Sequence, residues 1–106
     1  MDIAVPCYRL TRRFPTEERF GLTSQIQRSS SRIPANIAEG YGRGRRAEYC
    51  HFLRIANGSL KELETHLELT VRVEIADADD VKPILSLCVE EGKMLWSQIK
   101  SLESST

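Results

Sequence analysis

The chain of 106 residues lacks the long apolar segments and the cysteine pairs that mark membrane and secreted proteins. It has no run of about 18 apolar residues, which a membrane-spanning helix requires, and its first residues have neither the basic start nor the apolar core of a signal peptide. The three cysteines, Cys7, Cys50 and Cys88, are odd in number and widely spaced, so no disulfide framework is expected. These absences predict a protein of the reducing cytoplasm with no membrane partner.

Aromatic residues are also scarce, at 7% of the chain, and no segment alternates apolar and polar residues as a half-buried strand would. Leucine, isoleucine, valine and alanine supply most of the apolar content of 41%. This mixture favours packed helices over a β-sandwich. A chain of this length has room for one core, so we expect a single domain over residues 1–106.

The formal net charge is zero, but the charges are unevenly distributed along the chain. Residues 1–54 contain ten arginines and five acidic residues, whereas residues 55–106 contain five basic and ten acidic residues. Opposite charges on the two halves suit self-association, in which the basic face of one copy meets the acidic face of another. The basic half also suits a polyanion such as RNA or DNA. The pattern alone leaves both uses open.

Apolar residues recur at steps of three and four over most of the chain, which predicts four helices. Residues 7–14 are expected to be the end of a short first helix that Pro15 stops, and the second helix carries its apolar face from Leu22 to Tyr41. A turn at residues 76–80 precedes the fourth. The third has the longest pattern, with one face formed by Tyr49, Leu53, Ala56, Leu60, Leu63, Leu67 and Thr70. Helices joined by short turns predict an all-α, up-and-down antiparallel four-helix bundle with a short first helix.

A Gly-x-Gly-x-Gly pattern at Gly40, Gly42 and Gly44 lies between the second and third helices. A nucleotide-binding glycine loop follows a β-strand and has a different spacing, so we assign these glycines to the turn. One of them is expected to adopt a positive φ, end the second helix and let the chain reverse. The third helix is then expected to begin near Arg45 or Arg46.

Pro34 lies inside the predicted second helix, where it removes one backbone hydrogen bond and displaces the carbonyl of Ser30. We therefore predict a kink at Pro34, with the hydroxyls of the serines at 29–31 bonding the freed carbonyls. Asn36 and Glu39 are three residues apart, and we expect them to restart the helix in the manner of a capping box.

Basic residues in and before this turn are candidates for contact with nucleic acid. The candidates are Arg28, Arg32, Arg43, Arg45 and Arg46. Arginine forks fit phosphate oxygens, and they also fit the carboxylates of a neighbouring subunit. Aromatic residues that stack on bases are few in this segment, and Tyr41 is the one candidate.

No residue pattern in the chain predicts catalysis. Cys50 and His51 are adjacent, so on a helix their side chains point in different directions and do not form a nucleophile pair. Glu48 and His51 form a Glu-x-x-His motif, but a di-metal site in a bundle needs a second copy on another helix, and the sequence has none. We therefore predict a protein with no enzymatic activity, no metal and no cofactor.

Two long adjacent motifs, IPANIAEGYGR at 33–43 and EYCHFLRIANGSLKELETHLEL at 48–69, resemble the four helix bundle protein family, also called the 23S ribosomal RNA intervening-sequence protein family. The similarity extends from Tyr8 to Leu102. It implies a left-handed up-and-down four-helix bundle, frequent assembly as a homopentamer and no enzymatic activity. Bacterial members occur as reading frames inside ribosomal RNA intervening sequences. A related branch is the accessory protein of diversity-generating retroelements, a basic pentamer that binds nucleic acid and a reverse transcriptase.

The residues and the resemblance together predict a non-enzymatic, homo-oligomeric bundle protein whose arginine-rich face contacts RNA or DNA. The alternative is a scaffold for protein–protein interaction, in which the same arginines contact a neighbouring subunit or another protein partner. Under both hypotheses the protein binds further copies of itself.

Overall fold

Four α-helices account for most of residues 2–104, which are the residues that the computed structural model describes. The expected domain also includes positions 1, 105 and 106, which lie outside this range. The helices are α1 (Ala4–Thr11), α2 (Leu22–Gly42), α3 (Arg46–Arg72) and α4 (Ala78–Ser104). A single turn of 3-10 helix at Thr16–Glu18 joins α1 to α2. The prediction of an all-α four-helix bundle with a short first helix is confirmed.

The central helix is α3, because α2 and α4 both pack along it and make no close backbone contact with each other in the described chain. Helix α1 packs against both α2 and α4 at one end, which we call the α1 end. The opposite end contains the α2–α3 turn, and we call it the turn end. With 8 residues against 27 in α3, α1 is about 12 Å long and α3 about 40 Å. Helix α1 is therefore too short to fill the whole space between α2 and α4, and it leaves that space uncovered at the turn end.

The core is aliphatic and is centred on α3. The predicted stripe of this helix is confirmed except at its first residue: Tyr49 is only partly buried, whereas the others are buried, namely Leu53, Ala56, Leu60, Leu63, Leu67 and Thr70. The Thr70 hydroxyl donates to the Leu67 carbonyl at 2.6 Å, so this polar group is satisfied within the core. Helix α1 adds Cys7 and Leu10 to the same cluster, and Ile3, the residue just before the helix, joins them. Burying a side chain of this size stabilises the fold by about 1.5–3 kcal/mol.

The first helix includes part of the predicted segment 7–14, but it stops before that segment reaches Pro15. It begins at Ala4, whose backbone N–H is accepted by the Asp2 carboxylate at 3.0 Å, and it ends at Thr11. Pro6 is tolerated because it lies in the first turn, where a backbone N–H has no partner within the helix.

Helix α2 continues through Pro34 without interruption from Leu22 to Gly42. The prediction that the serines at 29–31 bond the carbonyls freed by Pro34 is wrong, because their hydroxyls donate to carbonyls of residues 25–28. A helical serine reaches only the carbonyls three or four residues before it. The carbonyl that Pro34 leaves without its helical donor is that of Ser30, which lies beyond their reach.

Asn36 and Glu39 do not form the predicted capping box, because the helix neither stops nor restarts there. The amide of Asn36 donates to the carbonyl of Arg32 at 2.8 Å, one turn earlier in the same helix. The carboxylate of Glu39 instead accepts hydrogen bonds from Arg43. Both residues therefore belong to the interior of a continuous helix.

Gly44 ends α2 as predicted for one of the three glycines. It has a φ of +73° and its N–H donates to the Tyr41 carbonyl at 3.3 Å, which is the geometry of a glycine just past a helix C-terminus. Helix α3 then begins at Arg46, in agreement with the prediction. The α3–α4 turn uses the same backbone geometry with a different residue, because Glu74 has a φ of 63° there.

Gly40 has a different role, which is to let α2 approach α3. A Cβ atom added at Gly40 would lie 2.6 Å from the Cβ of Phe52, too close for any real contact. Around Gly42, in contrast, an added Cβ would meet no atom within 4 Å.

We predict that Gly40→Ala destabilises the protein by about 1–3 kcal/mol, since the added methyl group forces α2 and α3 apart. Gly42→Ala is the matched control, and its free energy of unfolding is expected to change by less than about 1 kcal/mol. Urea unfolding followed by circular dichroism measures both values. Equal stabilities for the two variants would contradict the close approach at Gly40.

Two of the three cysteines lie in the core, and none of the three forms a disulfide in the structure. Burial raises the pKa of the Cys7 thiol to about 11, an effect partly offset by its hydrogen bond with Ser30. Burial likewise raises the pKa of Cys88 to about 12. Cys50 is only half-buried.

We therefore expect iodoacetamide at pH 8 to alkylate Cys50 in the folded protein and to spare Cys7 and Cys88. The reactive species is the thiolate, and both core thiols remain protonated and shielded well above this pH. Mass spectrometry of peptides, with and without urea, measures the modification at each site. Modification of all three thiols at similar rates without urea would show that the core is open.

Candidate nucleic-acid interface

Arg28 and Arg32, the flank arginines, lie one helical turn apart on the exposed face of α2. The opposite face of this helix buries Ile26 and Ile33 in the core, which fixes the outward direction of the two arginines. Neither forms an ion pair with another residue of the described chain. Their guanidinium groups therefore present two adjacent positive charges to solvent.

Arg43 is the most constrained of the five candidates. Its Nη2 atom lies 2.8 Å from Glu39 Oε2 and its Nη1 atom 3.5 Å from Glu48 Oε2. Its guanidinium carbon also lies 5.1 Å from the centre of the Phe52 ring. These contacts tie the end of α2 to the start of α3. Because two carboxylates already share its charge, Arg43 attracts a further anion less than the flank arginines do.

Arg45 and Arg46 lie where α3 begins. Arg45 has an extended backbone just before the helix, and its side chain is 80% exposed. Its nearest acidic contact joins Nε to Glu48 Oε1 at 3.8 Å, a long and exposed pair of little energy. Arg46 is the first residue of α3 and is also exposed. Both add to the positive potential that the helix dipole creates at this end of α3.

A cavity of about 390 Å³ lies beside these two arginines, and we call it the turn cavity. Its lining residues are Tyr41, Gly44, Arg45, Arg46 and Tyr49. Tyr41 is 75% exposed, and its ring meets that of Tyr49 edge to face with centroids 5.8 Å apart. The hydroxyl of Tyr49 accepts a hydrogen bond from the Gln98 amide at 3.4 Å, which anchors this ring to α4. Tyr49 belongs to the predicted core stripe and packs against the core, but it is only partly buried and also lines this cavity.

An open groove of about 510 Å³ adjoins the turn cavity and shares both tyrosines with it. It lies between α2 and α4 where α1 does not reach, and its lining residues are Pro34, Ile37, Ala38, Tyr41, Tyr49, Glu91, Met94 and Gln98. Met94 is 55% exposed and Glu91 only 7% exposed. The groove is therefore largely apolar, and its lining includes one buried acidic residue.

A further cavity, of about 520 Å³, lies between the start of α3 and the end of α4 and includes Cys50 and His51. These two residues do not face each other as a reactive pair, and the ring of His51 packs edge-on against that of Phe52. Arg54 forms an ion pair with Glu103 across this cavity, which raises the pKa of the guanidinium.

Nowhere in residues 2–104 do three or more His, Cys, Asp or Glu side chains come together to hold a metal ion. No helix in the same range is long and apolar enough to span a membrane.

The structure thus divides the candidate residues into two groups. Arg43, Arg45 and Arg46 come together at the turn end with two tyrosines, and the structural residues Gly40 and Gly42 lie in the last turn of α2 before them. The flank arginines lie in the first half of α2, and Arg32 is about 16 Å from Arg43 along the helix axis.

Comparison with known proteins identifies relatives of this chain. The chain shares 33% sequence identity with a crystal structure of a protein of unknown function from the S23 ribosomal protein family of Bacteroides thetaiotaomicron VPI-5482, with a TM-score of 0.85 and 92% of each chain covered. No curated protein matches the sequence. The sequence profile of the 23S rRNA-intervening sequence protein family matches residues 1–97. On this match the chain belongs to the 23S rRNA-intervening sequence protein family.

Proposed function

We propose that the protein is a non-enzymatic, homo-oligomeric accessory protein that binds RNA or DNA by its phosphate backbone. The observation that carries the proposal is the exposure of Arg28, Arg32 and Arg45 along α2 and at the turn end, where no carboxylate lies closer than 3.8 Å to Arg45 and none pairs with the other two in the described chain. Exposed guanidinium groups of this kind are the usual partners of phosphate oxygens. The name of the family, which refers to 23S rRNA intervening sequences, is consistent with a nucleic-acid partner.

Within this proposal the arginines have different roles. Arg28, Arg32, Arg45 and Arg46 contact phosphates, whereas Arg43 holds the turn in place through its two carboxylate partners. Phosphate contacts carry no sequence information directly, so binding of this type is expected to discriminate little between sequences.

We expect the triple variant Arg28→Ala, Arg32→Ala, Arg45→Ala to lose affinity for RNA and DNA uniformly across sequences. Fewer phosphate contacts release fewer counterions, so the slope of log affinity against log salt concentration should become shallower by about two to three. Gel-shift titrations at several salt concentrations measure both quantities. Arg72→Ala is a matched control, because Arg72 is exposed at the α1 end of α3.

Two outcomes would contradict the proposal: wild-type protein that binds neither RNA nor DNA, and a triple variant whose affinity equals that of the wild type. An Arg43→Ala variant separates the two roles. We expect it to lower the melting temperature, because the contacts with Glu39 and Glu48 are lost, and to leave the affinity for nucleic acid close to that of the wild type.

The alternative function, a scaffold for protein–protein interaction, is favoured by the open groove and by the unequal charges of the two halves of the chain. An apolar groove left uncovered by α1 offers a surface on which a second copy can bury apolar side chains. The ten acidic residues of the second half offer partners for the arginines of a neighbouring subunit.

We expect Met94→Asp to reduce the molar mass in light scattering if copies associate through the groove, because it places a charge on an apolar interface. Val89→Asp is the matched control, since Val89 is similarly exposed on α4 but does not line the groove. An unchanged mass for Met94→Asp would exclude the groove as the contact between subunits. Loss of mass in the triple arginine variant, with no effect of nucleic acid, would favour the scaffold.

A further inference from the structure

We infer that the turn cavity binds an unpaired nucleobase, with the ring of Tyr41 stacked on the base and Arg45 on the adjacent phosphate, so that the preferred ligand is single-stranded nucleic acid. This inference rests on the proposed function and specifies the form of nucleic acid that the turn end recognises.

The first argument is the position of Tyr41. Three-quarters of its surface is accessible, although an aromatic ring gains most when it is buried. Tyr49 contacts the ring edge to face, and the Tyr49 hydroxyl accepts a hydrogen bond from Gln98 at 3.4 Å. An accessible aromatic ring is the platform on which single-stranded nucleic acids stack their bases.

The second argument is the combination of groups around the ring. The turn cavity places Tyr41 and Tyr49 beside Arg45 and Arg46, so a stacking surface and two positive charges line the same concave site. Gly44 forms part of the wall and contributes no side chain that would fill the space. The volume of about 390 Å³ lies within the range of small-ligand pockets.

The third argument is the position of the acidic residues, which determines where the phosphates of a bound strand can lie. Glu91 lines the open groove but not the turn cavity, whereas Arg45 lines the turn cavity but not the groove. Glu48 contacts Arg45 only at 3.8 Å, so a phosphate can displace it at little cost. The backbone of a bound strand is therefore expected to follow the arginines, while its bases point towards the two tyrosines and the apolar groove.

A duplex does not offer these contacts, since its base faces are already stacked on one another. The inference thus predicts that Tyr41 matters for single strands and not for duplexes. If the protein contacted only phosphates, Tyr41 would have no role in binding either single strands or duplexes.

The test compares Tyr41→Leu with Tyr41→Phe by fluorescence anisotropy on three labelled probes: a short oligothymidylate, the same strand paired with its complement, and an abasic strand of equal length. We expect Tyr41→Leu to weaken binding of the oligothymidylate by roughly tenfold, and Tyr41→Phe to bind like the wild type. Neither variant should change affinity for the duplex or the abasic strand. Because Tyr41 is exposed, both variants are expected to fold, and circular dichroism checks this.

The outcomes separate this inference from the proposed function. Absence of binding to all three probes would overturn the inference, and it would overturn the proposed function as well if the gel-shift titrations also show no binding to RNA. Binding of all three probes with no effect of Tyr41→Leu would overturn the inference and leave phosphate binding intact. A change of molar mass in Tyr41→Leu, measured by light scattering, would also overturn it, because the ring would then belong to a contact between subunits.

Discussion

The close approach of α2 and α3 at Gly40 determines how the turn end is built. Because Gly40 has no side chain, Phe52 and Tyr49 pack directly against the backbone of α2. This contact places Glu39 and Arg43 beside the first turn of α3, and it places the ring of Tyr41 against that of Tyr49. The turn cavity and the ion pairs around it are thus consequences of one small residue in the helix interface.

The second determinant is the length of α1. The eight residues of this helix complete a four-helix core at the α1 end, but they leave three helices at the turn end. At the turn end no fourth helix of the described chain covers the space between α2 and α4, so an open groove remains there, although α3 and α4 still bury Leu53 and Ile99 in that half. The groove therefore runs over a closed core in a molecule 48 Å long. An exposed groove residue such as Met94 can be substituted without loosening the cluster around Cys7 and Cys88.

The bundle could be predicted because its signals are long, whereas the site depends on contacts between distant residues. The stripe from Tyr49 to Thr70 repeats over several turns, so one unfavourable residue does not hide it. The capping box predicted at Asn36 is wrong because a four-residue motif carries less weight than the apolar contacts on both sides of Pro34, where Ile33 and Ile37 pack against the core and the helix continues. Nor does the sequence indicate that Arg43 shares its charge with Glu48, since that pair exists only after α2 and α3 have packed. The role of the arginines in binding stays a prediction.

The α2–α3 turn and the α3–α4 turn each contain one residue with a positive φ, but the residue is a glycine in the first and a glutamate in the second. Gly44 adopts the left-handed conformation freely, whereas Glu74 adopts it with a side chain, at a cost of roughly 1–2 kcal/mol. The hydrogen bonds from Ile75 and Ala76 to the Thr70 carbonyl hold the chain in this conformation. Position 74 is consequently where a more heat-resistant form of the protein can be engineered, by a glycine that removes this strain. Such a gain would be made at the α1 end, far from Arg45 and Arg46 at the turn end, so the stability of the bundle can be raised without altering the turn cavity.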